Sequence, residues 1–101
     1  MTKGYAIFNE DISDQAAYDK YAQKAVPTIL ERGGKLIVVN DGPEVIEGEW
    51  KAPRVIVVEF ESVEAARDWY HSPEYQSIVG ERHAAAEADA VIVDGFELPE
   101  T

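Results

Sequence analysis

Cysteine is missing from this 101-residue chain, which excludes disulfides, thiolate metal ligands and a cysteine nucleophile. Cations are scarce: nine Lys and Arg stand against twenty Asp and Glu, for a formal charge of −11. Such a surface repels phosphate backbones and anionic bilayers, so neither nucleic acid nor a membrane is expected as a partner. No apolar run approaches the length of a membrane span. The opening "MTKGYAIFNE" lacks the charged region and long apolar run of a secretory signal, and the expected setting is soluble and cytoplasmic. The two histidines, His71 and His83, stand 12 apart without a His-x-x-x-His or Glu-x-x-His partner, so no metal site is expected. The glycines are scattered or paired at Gly33-Gly34, which leaves no phosphate-cradling loop, and no other cofactor is expected.

The length fits one domain, residues 1–101, able to bury about 60–70% of its unfolded surface. Four short runs rich in β-branched residues read as strands: Gly4 to Phe8, Lys35 to Val39, Arg54 to Phe60 and Ala90 to Val93. Helical spacing of Tyr18, Tyr21, Ala22, Ala25 and Ile29 fills the first interval, with Pro27 predicting a kink or restart and Gly33-Gly34 a stop. In the second interval Ser62 and Ser72 are N-cap residues, with Pro73 at a first helical position. They predict helices over about Val63 to Tyr70 and Pro73 to Ala88. "SDQAAYDKY" (Ser13 to Tyr21) also echoes "SVEAARDWY" (Ser62 to Tyr70), as an internal repeat or as shared helix-start grammar. The order is βαββαβ: an α+β, ferredoxin-like fold with an antiparallel sheet and both helices on one face.

An antiparallel sheet with one wet face should alternate apolar and polar residues. Leu36 to Val39, Val55 to Val58 and Val91 to Val93 do not. Helices cover one face, and a second copy is the simplest cover for the other, which predicts a homodimer. The segment Asn40 to Pro53 is read as a hairpin arm extending its flanking strands and burying Trp50 across that dimer, with a substrate lid as the alternative. The tail after Phe96 is expected to be exposed.

Candidate site residues cluster in "RDWYHSPEYQSIVGERH", Arg67 to His83. Tyr75, Ile78, Val79, Arg82 and Ala86 share one helical stripe, which places the Arg82 guanidinium on the buried face. Buried, it needs a compensating partner: an internal carboxylate or strand-end carbonyl, which is the expectation, or a ligand carboxylate or enolate. His71 is placed to interact with helix-end carbonyls, and His83 lies at the margin of the stripe. Glu59 interrupts an apolar run, either as a buried general base or as a residue at the strand's rim.

The stretch "EFESVEAARDWYHSPEYQSIVGERHAAAEADAVIVDGFE", with Trp69, Tyr70, Ser72, Pro73, Tyr75 and then Arg82, resembles the domain-of-unknown-function family numbered 1330. "YDKYAQKAVPTILERGGKLIVV" and the "VIEGEW" arm extend the resemblance over nearly the whole chain. That family implies the dimeric α/β-barrel superfamily, which includes cofactor-free monooxygenases, lactone isomerases and haem-handling enzymes with sites between sheet and helices. Haem would need His71 or His83 as axial ligand and is not expected. Two functional readings follow. One is a cofactor-free protein binding or converting a small aromatic or carboxylated metabolite, with Arg82 stabilising negative charge, Tyr75 as donor or stacking surface and His71 or His83 as proton shuttle. The other is a non-catalytic binding or structural homodimer.

Overall fold

Alternation with period two organises the first strand, β1 (Gly4–Ile12): Gly4, Ala6, Phe8 and Glu10 are buried on one face, while Tyr5, Ile7 and Asn9 lie half-buried on the other. The computed structural model describes residues 2–99. In chain order β1 is followed by α1 (Gln15–Glu31), β2 (Lys35–Asn40), β3 (Arg54–Phe60), α2 (Val63–Tyr70), α3 (Pro73–Gln76), α4 (Val79–Ala85) and β4 (Ala86–Asp94). All strand pairings are antiparallel and the sheet order is β2-β3-β1-β4. Tyr18, Tyr21, Ala25 and Ile29 of α1 and Ala66 and Trp69 of α2 pack with Ala6, Phe8, Val58 and Phe60 into one core. Both long helices therefore cover one face of the sheet, the α+β ferredoxin-like arrangement.

The caps follow from short polar side chains at the helix starts. Ser62 Oγ accepts from Ala65 N at 3.0 Å and Ser72 Oγ from Tyr75 N at 3.2 Å, each satisfying a donor that the first helical turn leaves free. The first helix is capped by Asp14, whose carboxylate accepts from Ala17 N, while Ser13 N–H donates to Ala85 O. At the other end Gly33 takes φ +76°, the left-handed turn that stops α1. Gly4 is required for a different reason: a Cβ there would overlap the backbone of Ser62 and Val63 where α2 begins.

Several boundaries depart from the sequence reading. Helix α1 is not restarted at Pro27, which lies within the continuous Gln15–Glu31 helix. The helix expected over Pro73 to Ala88 breaks at Ser77 and Ile78 and ends at Ala85; β4 begins at Ala86, well ahead of Ala90. The alanine-rich composition of Ala86 to Ala90 favours helix, but pairing of Ile12 with Ala86 and Glu10 with Ala88 overrides that local preference. Backbone N–H groups of Ser13 and Asp14 both donate to Ala85 O, at 2.8 and 3.1 Å, fixing the switch point. Pairing also lengthens β1 past Phe8 to Ile12.

The segment between β2 and β3 is not a strand-extending hairpin. Residues 41–53 contain no strand, and Trp50 is 54% exposed. Proline at positions 43 and 53 cannot donate to a ladder, and Gly48, at φ +70°, turns the chain. On the sheet face away from the helices, Ile37, Val38, Val91 and Val93 are exposed, as their lack of alternation implied. No helix among the described residues is long and apolar enough to cross a membrane.

Candidate functional site

Inner-face positions at the end of β1 and the start of β3 carry the charges of the site. Continuing the alternation from Phe8 puts Glu10 on the helix-facing side, and the antiparallel register sets it opposite Arg54. They form the polar end of a cleft of about 240 Å³ between α1 and the inner sheet face. Its apolar walls include Phe8, Ala25, Ile29, Leu36, Ile56 and Trp69. Because β2 is an edge strand with all six residues exposed, Leu36 and Val39 leave this side open to solvent.

Glu10 is 1% exposed, and its Oε1 accepts a 2.6 Å hydrogen bond from the Tyr18 hydroxyl. Arg54 lies over the Tyr18 ring, 5.2 Å from its centroid, with Nε 3.7 Å from Glu10 Oε1. That separation is ionic but too long for a hydrogen bond. Among the described residues Arg54 Nε is consequently a buried donor without an acceptor, whereas Nη1 reaches the exposed Asp41 carboxylate at the rim. Burial raises the Tyr18 phenol above its ordinary pKa, and its bond to Glu10 adds to the rise. Tyr18 therefore remains a hydrogen-bond donor throughout the neutral range.

A second polar chain runs behind the cleft. Arg82 Nε donates to the Tyr75 hydroxyl at 3.2 Å, and Tyr75 and Tyr21 share a 2.7 Å hydroxyl–hydroxyl bond. Tyr75 accepts from Arg82, so its own proton is free to go to Tyr21, a residue of the cleft wall. Burial, followed by the proximity of Tyr75, pushes the Tyr21 phenol upward as well. Desolvation opposes the charge on Arg82, but Tyr75, Tyr21 and Glu10 outweigh it and hold the guanidinium pKa above its usual value.

Tyr75 and Arg82 thus meet in the buried core, as their shared stripe predicts. The ion pair expected for Arg82 does not form: among the described residues no carboxylate lies within 4.0 Å of it. Its charge rests instead on the Tyr75 hydroxyl and the face of Phe8, whose centroid is 5.2 Å away. Nearby Glu10 is occupied by Tyr18. The break between α3 and α4 leaves Tyr75, Val79 and Arg82 inward-facing, but Ala86 has passed into the strand.

The histidines go elsewhere. His71 is exposed at the C-cap of α2, edge-on to Tyr70, beside a groove that also includes Ala6 and Ile92. His83 is exposed beside a polar groove with Asn9, Asp11 and Lys51. Neither lines the cleft, and the structure does not bring either to Arg82. Glu59 is a residue of the opposite sheet face, accepting from the Tyr5 hydroxyl at 3.0 Å. Among the described residues no cluster of three or more His, Cys, Asp or Glu side chains is placed to hold a metal ion. Sequence reasoning missed Glu10 and Arg54, although extending the inner-face pattern of each strand by one step identifies both.

Comparison with known proteins supports the fold. A protein of unknown function from Rhodopseudomonas palustris superposes with a TM-score of 0.79 at 17% identity, over 96% of this chain and 85% of that one. SnoaB, a cofactor-independent oxygenase from Streptomyces nogalater, gives 0.67 at 10% identity, over 100% and 97%. A dimeric ferredoxin-like protein of unknown function from Thermobifida fusca gives 0.52 at 9% identity, over 92% and 91%. Among curated proteins none matches. Residues 3–96 match the family described as "Domain of unknown function (DUF1330)", and the chain belongs to that family.

Proposed function

We propose that this protein binds a small aromatic metabolite carrying a carboxylate or carbonyl group, in the cleft between α1 and the inner sheet face, and that it does so as a homodimer. The observation that carries the reading is the buried Arg54 Nε, without an acceptor among the described residues, at the polar end of an otherwise apolar cleft. A buried donor left unpaired costs about 1–3 kcal/mol, which a ligand oxygen would recover. The apolar walls fit a ring. Tyr75 and Arg82 enter as supports behind the wall, orienting Tyr21, and the binding uses no group beyond the chain's own side chains. His71 and His83 are outside this binding site. The exposed apolar residues of the opposite sheet face support dimerisation, and the dimeric Thermobifida relative is the fold-level parallel.

Conversion of the ligand without a cofactor has SnoaB as its support by analogy of fold. The sealed packing of Tyr75, fully buried between Trp69 and Tyr21, supports the second reading, a non-catalytic binding or structural dimer. Calorimetric titration with benzoate, cinnamate and phenylpyruvate tests the binding claim. Wild type is expected to bind at least one of them, with at least tenfold weaker binding in Arg54→Met; failure to bind any would refute it. Light scattering should give twice the 11.2 kDa chain mass.

A further inference from the structure

We propose that Glu10 is a proton acceptor and that the cleft enolises a 2-oxo acid bearing an aromatic ring; this rests on the binding reading above. Glu10 and Arg54 do not behave as a mutually satisfied structural pair. A charge-assisted contact between guanidinium and carboxylate normally closes to about 2.7–2.9 Å, whereas Arg54 Nε and Glu10 Oε1 stand 3.7 Å apart with Nε unpartnered among the described residues. Among the described residues the one hydrogen bond to the Glu10 carboxylate comes from Tyr18, at Oε1. At the polar end of the cleft a buried N–H donor and a buried carboxylate acceptor therefore stand side by side. That combination suits a carbonyl oxygen and the acidic C–H of the carbon next to it.

The chemistry follows from the two groups. With the ligand's carbonyl oxygen on Arg54 Nε–H, the Glu10 carboxylate takes a proton from the adjacent carbon. The C–H electron pair becomes the new C=C bond, and the C=O π pair moves onto oxygen, where Arg54 receives the developing charge. Transfer of that proton from Glu10 to the enolate oxygen yields the enol and restores the carboxylate. The net change is an isomerisation, with no oxidant or reductant. Tyr18 is a positioning residue: its 2.6 Å bond fixes Oε1 and so orients the carboxylate plane. The ring of the ligand lies along the apolar wall that includes Ile29, Ile56 and Trp69.

The test uses phenylpyruvate in D2O, with the loss of its C3 proton signal followed by NMR and its affinity measured by calorimetry. Wild type is expected to speed exchange at least 100-fold over Glu10→Gln, in keeping with the usual worth of a positioned base, while Glu10→Gln still binds. Glu10→Asp, which withdraws the carboxylate by one methylene, should be intermediate. Tyr18→Phe should lower the saturating rate with little change in affinity. A wild type that binds phenylpyruvate but leaves exchange at the buffer rate overturns the proposal, whatever the variants do, and leaves the binding reading intact. Equal rates in wild type and a folded, ligand-binding Glu10→Gln overturn it too. Absence of phenylpyruvate binding to wild type overturns the proposal, and the binding reading falls with it only when benzoate and cinnamate also fail to bind.

Discussion

Replacing Tyr75 by Phe removes one oxygen atom from the centre of the buried chain Arg82–Tyr75–Tyr21. The ring can keep its place among Trp69, Tyr70 and Tyr21, because the substitution adds no volume. Two hydrogen bonds disappear: the 3.2 Å bond from the Arg82 guanidinium and the 2.7 Å bond to the Tyr21 hydroxyl. Their surviving partners remain buried, Arg82 at 3% exposure and Tyr21 at 6%. A buried group stripped of its partner costs about 1–3 kcal/mol, towards the upper end when one member is charged. The two losses together should cost about 3–5 kcal/mol. At about 4–8 °C per kcal/mol for a domain of this size, melting should fall by at least about 12 °C. Urea unfolding of wild type, Tyr75→Phe, Tyr21→Phe and the double variant, at equal protomer concentration, checks the figure. Tyr21→Phe alone removes one bond and should cost less than Tyr75→Phe. The double variant should fall short of additivity by about 0.5–3 kcal/mol because the shared bond is lost once. A loss below about 1 kcal/mol in Tyr75→Phe, or strict additivity, would show that water satisfies this chain and refute the reasoning.

The remaining expectations concern the phenols, a glycine and the arm. Tyr18 and Tyr21 have folded pKa values raised above the ordinary 10.0, so their contribution is complete below pH 10 and is lost as the unfolded chain ionises above it. Stability should fall by about 1.4 kcal/mol per pH unit for each phenol once pH exceeds 10, and an unchanged alkaline slope in folded Tyr18→Phe would contradict this. Gly4→Ala should destabilise by about 1–3 kcal/mol or more in chemical denaturation, since the added methyl meets the backbone of Ser62 and Val63 rather than a movable side chain. Trp50→Ala should weaken dimerisation in sedimentation experiments more than it lowers helical content, because an indole 54% exposed in one chain is available to a partner; unchanged dissociation would refute that role.

What the sequence disclosed divides along physical lines. Ser62 and Ser72 identified α2 and α3 because a cap is a local interaction whose donor and acceptor lie within three residues. The stripe of Tyr75, Val79 and Arg82 was legible because their positions keep them facing inward across the break at Ser77 and Ile78. The first half of β4 was not legible, since Ala86 to Ala90 is strand only by virtue of its register with β1. For the same reason the partner of Arg82 is not legible: a carboxylate or strand-end carbonyl is the expectation, and among the described residues no carboxylate lies within 4.0 Å of it. Which buried acid belongs to which cation depends on cross-strand register, and that register places Glu10 beside Arg54. The open side of the cleft is a tertiary feature too, created where α1 leaves Leu36 and Val39 of the edge strand uncovered.

The central claim is that the buried Arg54 Nε–H waits for a ligand oxygen, and that proton can be observed directly. Proton–nitrogen correlation spectra of the four arginine Nε–H groups, assigned with Arg54→Lys and Arg82→Lys, should be recorded during titration with phenylpyruvate. A saturable downfield shift of the Arg54 Nε proton is expected as it gains an acceptor, with a much smaller response from Arg82, whose Nε is already bonded to Tyr75. An Arg54 signal that stays in place while another arginine moves, or no movement at all at saturating phenylpyruvate, would contradict it.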